Sequence, residues 1–278
     1  MDTELSIVIP AYNEEECIEA TYKELQVILS KIDKSYEIIF IDDGSTDGTA
    51  DLIKTFKNIN FLQHSTNRGY GAALKRGISH ANGRYILITD ADGTYPIKEI
   101  PQLLSWLGDY DMVVGARTGE SVSIPLYRKP AKWFLSKLAN YLSGTKIPDL
   151  NSGLRVFRKE DVRRFYNILP NGFSFTTTIT LSFLSNGLTI KYLPICYNKR
   201  VGSSKIRPFR DGLNFILLIF KCISYFNPLK IFLPISFALF FSAVIIMLYS
   251  ILKIGAYLET TIVILLEDYD QRWILRPT

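Results

Sequence analysis

Tyr85-Ile86-Leu87-Ile88-Thr89-Asp90-Ala91-Asp92-Gly93-Thr94-Tyr95-Pro96 is an apolar, β-prone run that breaks abruptly into carboxylates and a glycine. A short continuous apolar run ended by acids reads as a buried strand running to its carboxyl edge. In an open α/β sheet that edge is where ligands bind. Two carboxylates one residue apart are placed there to hold a hard divalent cation and, through it, phosphate oxygens. An isolated Asp-x-Asp is first read as a solvated turn with capping aspartates; what surrounds this one shifts the balance.

Upstream, Leu5 to Pro10 is a second short apolar run, followed by Ala11-Tyr12-Asn13 and three glutamates. Asn13 is positioned to cap a helix, with Glu16 as capping-box partner. Ile18, Tyr22, Leu25, Leu29 and Ile32 then follow at alternating spacings of four and three, a core-facing stripe. Tyr36 to Ile41 is the next strand, and it too runs into acids, Asp42-Asp43-Gly44-Ser45-Thr46-Asp47-Gly48. A helix from about 47 to 57, a strand around Phe61 and a helix from about 69 to 81 lead back to the Tyr85 strand. This alternation predicts a parallel sheet with right-handed crossovers, so that the Asp43 and Asp92 loops open on one edge.

Downstream, a helix carrying Ile100, Leu103, Leu104 and Leu107 precedes a strand Met112 to Gly115 that ends in Ala116-Arg117. A cation at a strand's carboxyl end beside acidic loops suits a phosphate, although a surface arginine fits the same pattern. Pro148 to Gly153 is a polar turn before a strand Leu154 to Phe157, 172 to 185 reads as a Thr-rich helix, and Lys191 to Pro194 as a last short strand. Lys199-Arg200-Val201-Gly202-Ser203-Ser204-Lys205-Ile206-Arg207 is a basic loop with small residues, able to close over phosphates or to serve as a solvated linker.

A chain of 278 residues with net charge +5 can bury one core plus an appendage, and its charge is too mild to argue for nucleic acid. The three cysteines, Cys17, Cys196 and Cys222, suggest neither a disulfide framework nor a zinc site, and a reducing compartment is expected. The start lacks a basic n-region and apolar core, so no signal peptide is expected. From Ser121 to Lys146 basic residues alternate with Trp133, Phe134, Leu135 and Leu138, which suits a helix on a membrane surface or an ordinary amphipathic one. Ile231 to Leu252 carries no charge and would rise about 33 Å as a helix, enough to cross a hydrocarbon core. Lys199, Arg200, Lys205, Arg207, Arg210, Lys221 and Lys230 precede it against the single acid Asp211, which puts the first domain on the cytoplasmic face. Ala256 to Leu266 resembles the start of a second span that does not finish, so a truncated C-terminus is a real alternative. The division expected is a catalytic domain over 1–205, an interfacial segment over 206–228, a transmembrane helix over 229–253 and a partial hydrophobic segment with a tail over 254–278.

Ile7 to Glu14, Asp42 to Gly48, Asp90-Ala91-Asp92 and the Arg200 to Lys205 loop, in this order and at these spacings, resemble a family 2 glycosyltransferase. More narrowly they resemble the branch of dolichol-phosphate mannose synthases and polyprenyl-phosphate glycosyltransferases. The resemblance implies an α/β GT-A fold: a Rossmann-like, mainly parallel sheet flanked by helices, with amphipathic interfacial helices and a C-terminal transmembrane helix. It implies Mg2+ or Mn2+ on Asp90, Asp92 and Thr94. Pro10, Tyr12, Glu14, Ile41 and Asp43 would surround the base and ribose of a nucleotide-diphosphate sugar. Asp90, Ala91 and Asp92 would hold ribose, metal and diphosphate, Arg117 would contact phosphate, and Arg200 with Lys205 would clamp the diphosphate. Lys132 and Ser136 fall on the family's acceptor helix, beside a lipid phosphate. Asp149 would orient the acceptor or the metal's surroundings, or is a plain turn aspartate.

The activity implied is inverting transfer of a hexose, from a donor of GDP-mannose or UDP-glucose type, to a polyisoprenyl phosphate at the membrane. Asp92, Arg117, Asp149 and Arg200 are the residues assigned to the chemistry. Such an acceptor oxygen is already anionic near neutral pH, so no strong base is demanded; His64 and His80 lie outside the motifs and are read as structural or surface residues. The rival readings are transfer to a glycolipid or polysaccharide, and a membrane scaffold that binds sugar nucleotides without turnover. A monomer and a homo-oligomer are both compatible with the sequence.

Overall fold

Seven apolar runs become strands in the computed structural model, which describes residues 3–118, 137, 140–141, 144–172, 174–198, 224 and 228–274. In chain order these are β1 (Leu5–Ala11), α1 (Ile18–Leu29), β2 (Tyr36–Asp42), α2 (Thr49–Thr55), β3 (Asn60–Gln63), α3 (Tyr70–His80), β4 (Tyr85–Ile88), a 3-10 turn (Ile97–Glu99) running into α4 (Ile100–Leu104), β5 (Met112–Ala116), β6 (Arg155–Arg158), α5 (Lys159–Phe165), α6 (Phe175–Ser185), β7 (Ile190–Pro194) and α7 (Leu229–Ile274). The chain divides into two compact units, Met1–Asn227 and Pro228–Thr278.

In the first unit the strands form one sheet in the order β3-β2-β1-β4-β6-β5-β7. All neighbours are parallel except β6, which runs antiparallel to β4 and to β5 between them. Its first residue, Arg155, pairs with Ile88 at the end of β4 and with Val114 near the end of β5. The turn that feeds β6 is therefore delivered to the edge where the parallel strands finish. The sheet is mainly parallel, as the alternation of elements predicts.

Both faces are covered, which explains why the strands read as continuous apolar runs rather than alternating ones. Ile7, Phe40, Leu87 and Val113 pack with Leu25 of α1 and Leu103 of α4 on one side. Val8, Ile39, Ile88 and Val114 pack with Leu74 of α3 and Phe175, Ile179 and Phe183 of α6 on the other.

One local expectation fails. Asn13 does not cap α1, whose helical turns begin at Ile18 after Cys17. Its backbone is left-handed at φ 52°, and its side chain reaches another loop, accepting from the Thr46 N–H at 2.8 Å and donating to the Thr46 hydroxyl at 3.2 Å. A tertiary partner has displaced the local cap.

The second unit is described by α7, 46 residues long with Pro234 in its first turns. Its stretch Phe232–Leu266 is long and apolar enough to cross a membrane, and none of the window that qualifies it is buried. The helix continues through Lys253 and Gly255, so the apolar residues from Ala256 onward belong to the same helix.

The start of α3 meets the 170–172 loop without a gap. A Cβ on Gly71 would overlap the Pro170 carbonyl and lie 2.9 Å from the Gly172 carbonyl oxygen, whereas a Cβ on Gly172 would meet nothing. Backbone cannot yield as a flexible side chain does, so Gly71→Ala should cost about 1–3 kcal/mol or more while Gly172→Ala stays within about 0.5 kcal/mol. Urea unfolding of the full chain in detergent compares the two; equal midpoints would remove the contact from the fold's stability.

Candidate functional site

The end of β2 carries two aspartates with different tasks. Asp42 closes its own turn, accepting from the Ser45 N–H at 3.1 Å and from Gln63 Nε2 at 3.0 Å. Asp43 turns toward the start of α3: one carboxylate oxygen accepts from the Arg68 N–H at 2.9 Å and lies 2.6 Å from His64 Nδ1, while the other accepts from the Gly69 N–H at 2.8 Å. Gly69 adopts φ +100°, which an L side chain rarely accepts, and this lets two successive N–H groups face the acid. Pro10 and Ile41 are paired in register on β1 and β2 beside this turn, and both are buried. Tyr12 and Glu14 are half-buried just beyond β1. Their loop is laced to the next: the Asn13 N–H donates to the Ser45 hydroxyl at 2.9 Å and the Glu14 N–H to the Thr49 hydroxyl at 2.9 Å.

At the end of β4 the two acids of the Asp-x-Asp turn are held separately. Tyr70 donates its phenolic O–H to Asp90 Oδ1 at 2.9 Å. Against the same carboxylate lies Gly153, where a Cβ would stand 2.8 Å from Asp90 Oδ2. Any larger residue at 153 would displace Asp90. Asp92 Oδ1 accepts both the N–H of Thr94 at 3.1 Å and its hydroxyl at 2.5 Å. Ala91, between the acids, is buried, and its carbonyl accepts from the Thr21 hydroxyl at 3.1 Å.

Arg117, just past β5, forms a two-pronged pair with Asp149 from the turn before β6. Nε donates to Oδ2 at 2.7 Å and Nη2 to Oδ1 at 2.9 Å, and the Arg117 backbone N–H adds a third bond at 3.0 Å. Burial opposes ionisation of Asp149, but the hydrogen bonds and charge of Arg117 outweigh it and hold the carboxyl below its ordinary value. Burial likewise works against the Arg117 charge, and the Asp149 hydrogen bond reverses that, holding its pKa above the ordinary value. Two of the guanidinium's five N–H donors are thus committed to the acid, and among the described residues the rest remain for an anion. The Tyr197 ring lies 5.2 Å from this guanidinium and packs edge-on against Tyr95. Asn198 ties the same segment to the acidic turn, its N–H donating to the Thr94 carbonyl at 2.9 Å.

The structure therefore brings Pro10, Tyr12, Glu14, Ile41, Asp43, Asp90, Ala91, Asp92, Thr94, Arg117 and Asp149 to one edge of one sheet. Lys132, Ser136, Arg200 and Lys205 lie outside the described residues. The donor set suits a hard cation: carboxylate oxygens at a strand end, with the Thr94 hydroxyl fixing Asp92. Among the described residues no three His, Cys, Asp or Glu side chains converge on one point. Two carboxylates are nonetheless enough for Mg2+, which takes its remaining ligands from water and phosphate.

Three residues at this edge escape a reading of the sequence. His64 follows the last residue of β3 and is buried against Asp43. Tyr70 opens a helix as an ordinary aromatic. Arg155 sits where an apolar strand residue belongs, with no solvent exposure. Its Nε donates to the Ser152 carbonyl at 2.9 Å, and its Nη1 to the Thr176 carbonyl and the Thr180 hydroxyl at 3.0 Å each. Only the first offers a signal in sequence, as a polar residue at a strand's carboxyl end.

Comparison with known proteins meets this geometry from another side. The model of glycosyl transferase family 2 matches residues 6–165, which include every acid described above. The chain is 30% identical over 234 residues to dolichyl-phosphate beta-glucosyltransferase of Dictyostelium discoideum, covering 75% of this chain and 70% of that protein. It is 34% identical over 171 residues to bactoprenol glucosyl transferase of Shigella phage SfV, covering 60% of this chain and little more than half, 55%, of that protein. Among solved structures, glucosyl-3-phosphoglycerate synthase from Mycobacterium tuberculosis with Mn2+, UDP-glucose and phosphoglyceric acid aligns with a TM-score of 0.64 over 80% of each chain; at 19% identity this likeness shows the fold alone, GT-A. Since the matched span runs from β1 through α5 and holds both acidic turns and the turn before β6, this chain belongs to glycosyl transferase family 2.

Proposed function

We propose that this protein is a membrane-bound, inverting glycosyltransferase that moves a hexose from a nucleotide-diphosphate sugar of UDP-glucose type to a polyisoprenyl phosphate. The observation that carries the reading is the meeting, on one sheet edge, of the Asp90 to Asp92 turn with the Arg117 and Asp149 pair. That edge offers carboxylates for a cation and a fixed guanidinium for phosphate within one set of neighbouring loops. The relatives' names support the sugar and the acceptor, since one is a dolichyl-phosphate and the other a bactoprenol glucosyl transferase.

In this reading Pro10, Tyr12, Glu14, Ile41 and Asp43 take the nucleoside, and Asp90, Ala91 and Asp92 take ribose and diphosphate. Asp90 and Asp92 hold Mg2+ or Mn2+, with Thr94 orienting Asp92 through its hydroxyl. The cation, when bound, supplies electrostatic stabilisation of the charge on the departing diphosphate. Arg117, aimed by Asp149, binds a phosphate of the donor, and Arg200 with Lys205 closes over the same group. Lys132 and Ser136 receive the acceptor phosphate. An oxygen of that phosphate forms the new bond to the anomeric carbon while the bond to the donor's diphosphate breaks, its electron pair leaving with the nucleoside diphosphate. Because the acceptor is ionised near neutral pH, the chain needs no base at the reacting carbon. His64 is engaged with Asp43 at the nucleoside end, in keeping with that. Residues 1–205 form the transfer domain, 206–228 an interfacial segment, and the apolar α7 brings the site to a lipid substrate that leaves the bilayer only at high cost.

The direct test is release of nucleoside diphosphate by the purified full chain with Mn2+, offered UDP-glucose, UDP-galactose and GDP-mannose, with and without a polyprenyl phosphate. Lipid-dependent release of UDP from UDP-glucose is expected. Release of GDP would move the donor assignment, and lipid-independent release would move the acceptor assignment.

Asp149→Asn should leave Arg117 misaimed, lowering kcat at least tenfold. The lost stability should be largest at neutral pH, about 1–3 kcal/mol for weakening hydrogen bonds between charged groups in a partly buried pair. Since the folded carboxyl titrates below its ordinary value, this stabilisation is complete above about pH 4 and fades as pH falls through the lowered value. Melting temperatures of the two proteins from pH 7 to pH 3 should therefore converge at the acid end; a constant gap would detach the effect from the carboxylate's charge. Deleting the chain after Pro228 should spare UDP binding while reducing use of a long-chain acceptor in vesicles, and undiminished use would refute anchoring by α7.

A further inference from the structure

Arg68-Gly69-Tyr70 touches both acidic turns at once. The N–H groups of Arg68 and Gly69 grip Asp43 from one side, and the hydroxyl of the next residue grips Asp90. We propose that Tyr70 is a positioning residue that couples the nucleoside end of the site to its diphosphate end, so that metal and nucleotide bind as one unit; this deepens the function proposed above and rests on it.

The phenol stands on a rigid base. Gly77 brings α3 so close to the sheet that a Cβ there would lie 2.5 Å from a Val8 methyl and 2.7 Å from an Ile41 methyl. At the other end of the helix, Gly71 abuts the 170–172 loop and the Ala72 N–H donates to the Asn171 carbonyl at 2.9 Å. A tyrosine at the first turn of so fixed a helix has little freedom to move away from Asp90. The acid is confined from the other side by Gly153, leaving its carboxylate between a phenol and a backbone.

The Asp90 carboxylate is thus presented in one orientation, and through Gly69 that orientation is referred to Asp43. Loss of the hydroxyl removes one of the contacts that orient Asp90 without touching those of Asp43. The consequence is selective: nucleotide binding without metal survives, while the gain that metal brings is lost.

Isothermal titration of UDP into the full chain in detergent, with MnCl2 and then with EDTA, reads this directly. For Tyr70→Phe the Mn2+-dependent gain in UDP affinity should fall about tenfold, as loss of a hydrogen bond to a charged group implies, with affinity in EDTA little changed. Tyr166→Phe is the control. It removes a comparable phenolic bond, 2.7 Å to the Lys75 carbonyl of the same helix, but touches neither acid. It should lower the melting temperature as Tyr70→Phe does and keep the full Mn2+-dependent gain. In an Asp90→Asn background, Tyr70→Phe should add less than about twofold, because its effect runs through that acid. A Tyr70→Phe protein with the wild-type gain, or losses that add in the double variant, would overturn the coupling while leaving the proposed function standing. A wild-type chain that binds neither UDP nor GDP with Mn2+ would overturn the function, and the inference with it.

Discussion

A guanidinium with no exposure to water and, among the described residues, no carboxylate against it holds the ligand edge of this sheet together. Arg155 occupies the first position of the one strand that runs backwards, and two backbone carbonyls and a hydroxyl receive its hydrogens. Burying an isolated charge costs several kcal/mol, so such a residue survives only where its hydrogen bonds organise something. Here they organise the turn at 149–153. That turn supplies Asp149, which aims Arg117, and Gly153, which gives Asp90 its room. Arg155 also joins the turn to the first residues of α6, whose Thr177 hydroxyl meets the side chain of Asn151.

The edge gathers five aspartates within a few loops, an arrangement that would repel itself in a bare cluster. Each is instead hydrogen-bonded locally and by a different device. Asp42 is satisfied by its own turn, Asp43 by a helix start and a histidine, Asp90 by a phenol, Asp92 by a threonine, and Asp149 by an arginine. Each carboxylate is thereby held in its own orientation by its own donors. In the proposed function such a site would meet its ligands with little reorganisation left for the moment of binding.

What the sequence made legible follows from how local each feature is. Strands ending in Asp42-Asp43 and Asp90-Ala91-Asp92 announce themselves by composition, because a doubly covered sheet demands apolar runs and its edge does not. The same logic recovered all seven strands and the shared edge. The backward course of β6 was not legible: nothing in Leu154 to Phe157 marks a direction, which is decided by a pairing far away in sequence. Asn13 misleads for the same reason, since its capping signature is genuine and a loop 33 residues away outcompetes it. His64, Tyr70 and Arg155 carry no motif of their own. Each matters through one contact that only the folded chain creates.

The length of α7 has a consequence for the lipid phase. An apolar stretch of 35 residues rises about 52 Å, against a hydrocarbon slab of about 30 Å. Even a tilt of about 40°, the upper end for membrane helices, shortens its projection only to about 40 Å. At least about a quarter of the stretch is therefore surplus, and more at smaller tilts. Lys253 and Glu259 both fall in its C-terminal half, so in a bilayer the charge-free residues from Phe232 to Leu252 would be those that the slab retains. In the membrane-bound reading hydrophobic mismatch would fall on the far end, and bilayer thickness, rather than sequence alone, would set how many of the last turns are drawn into the membrane.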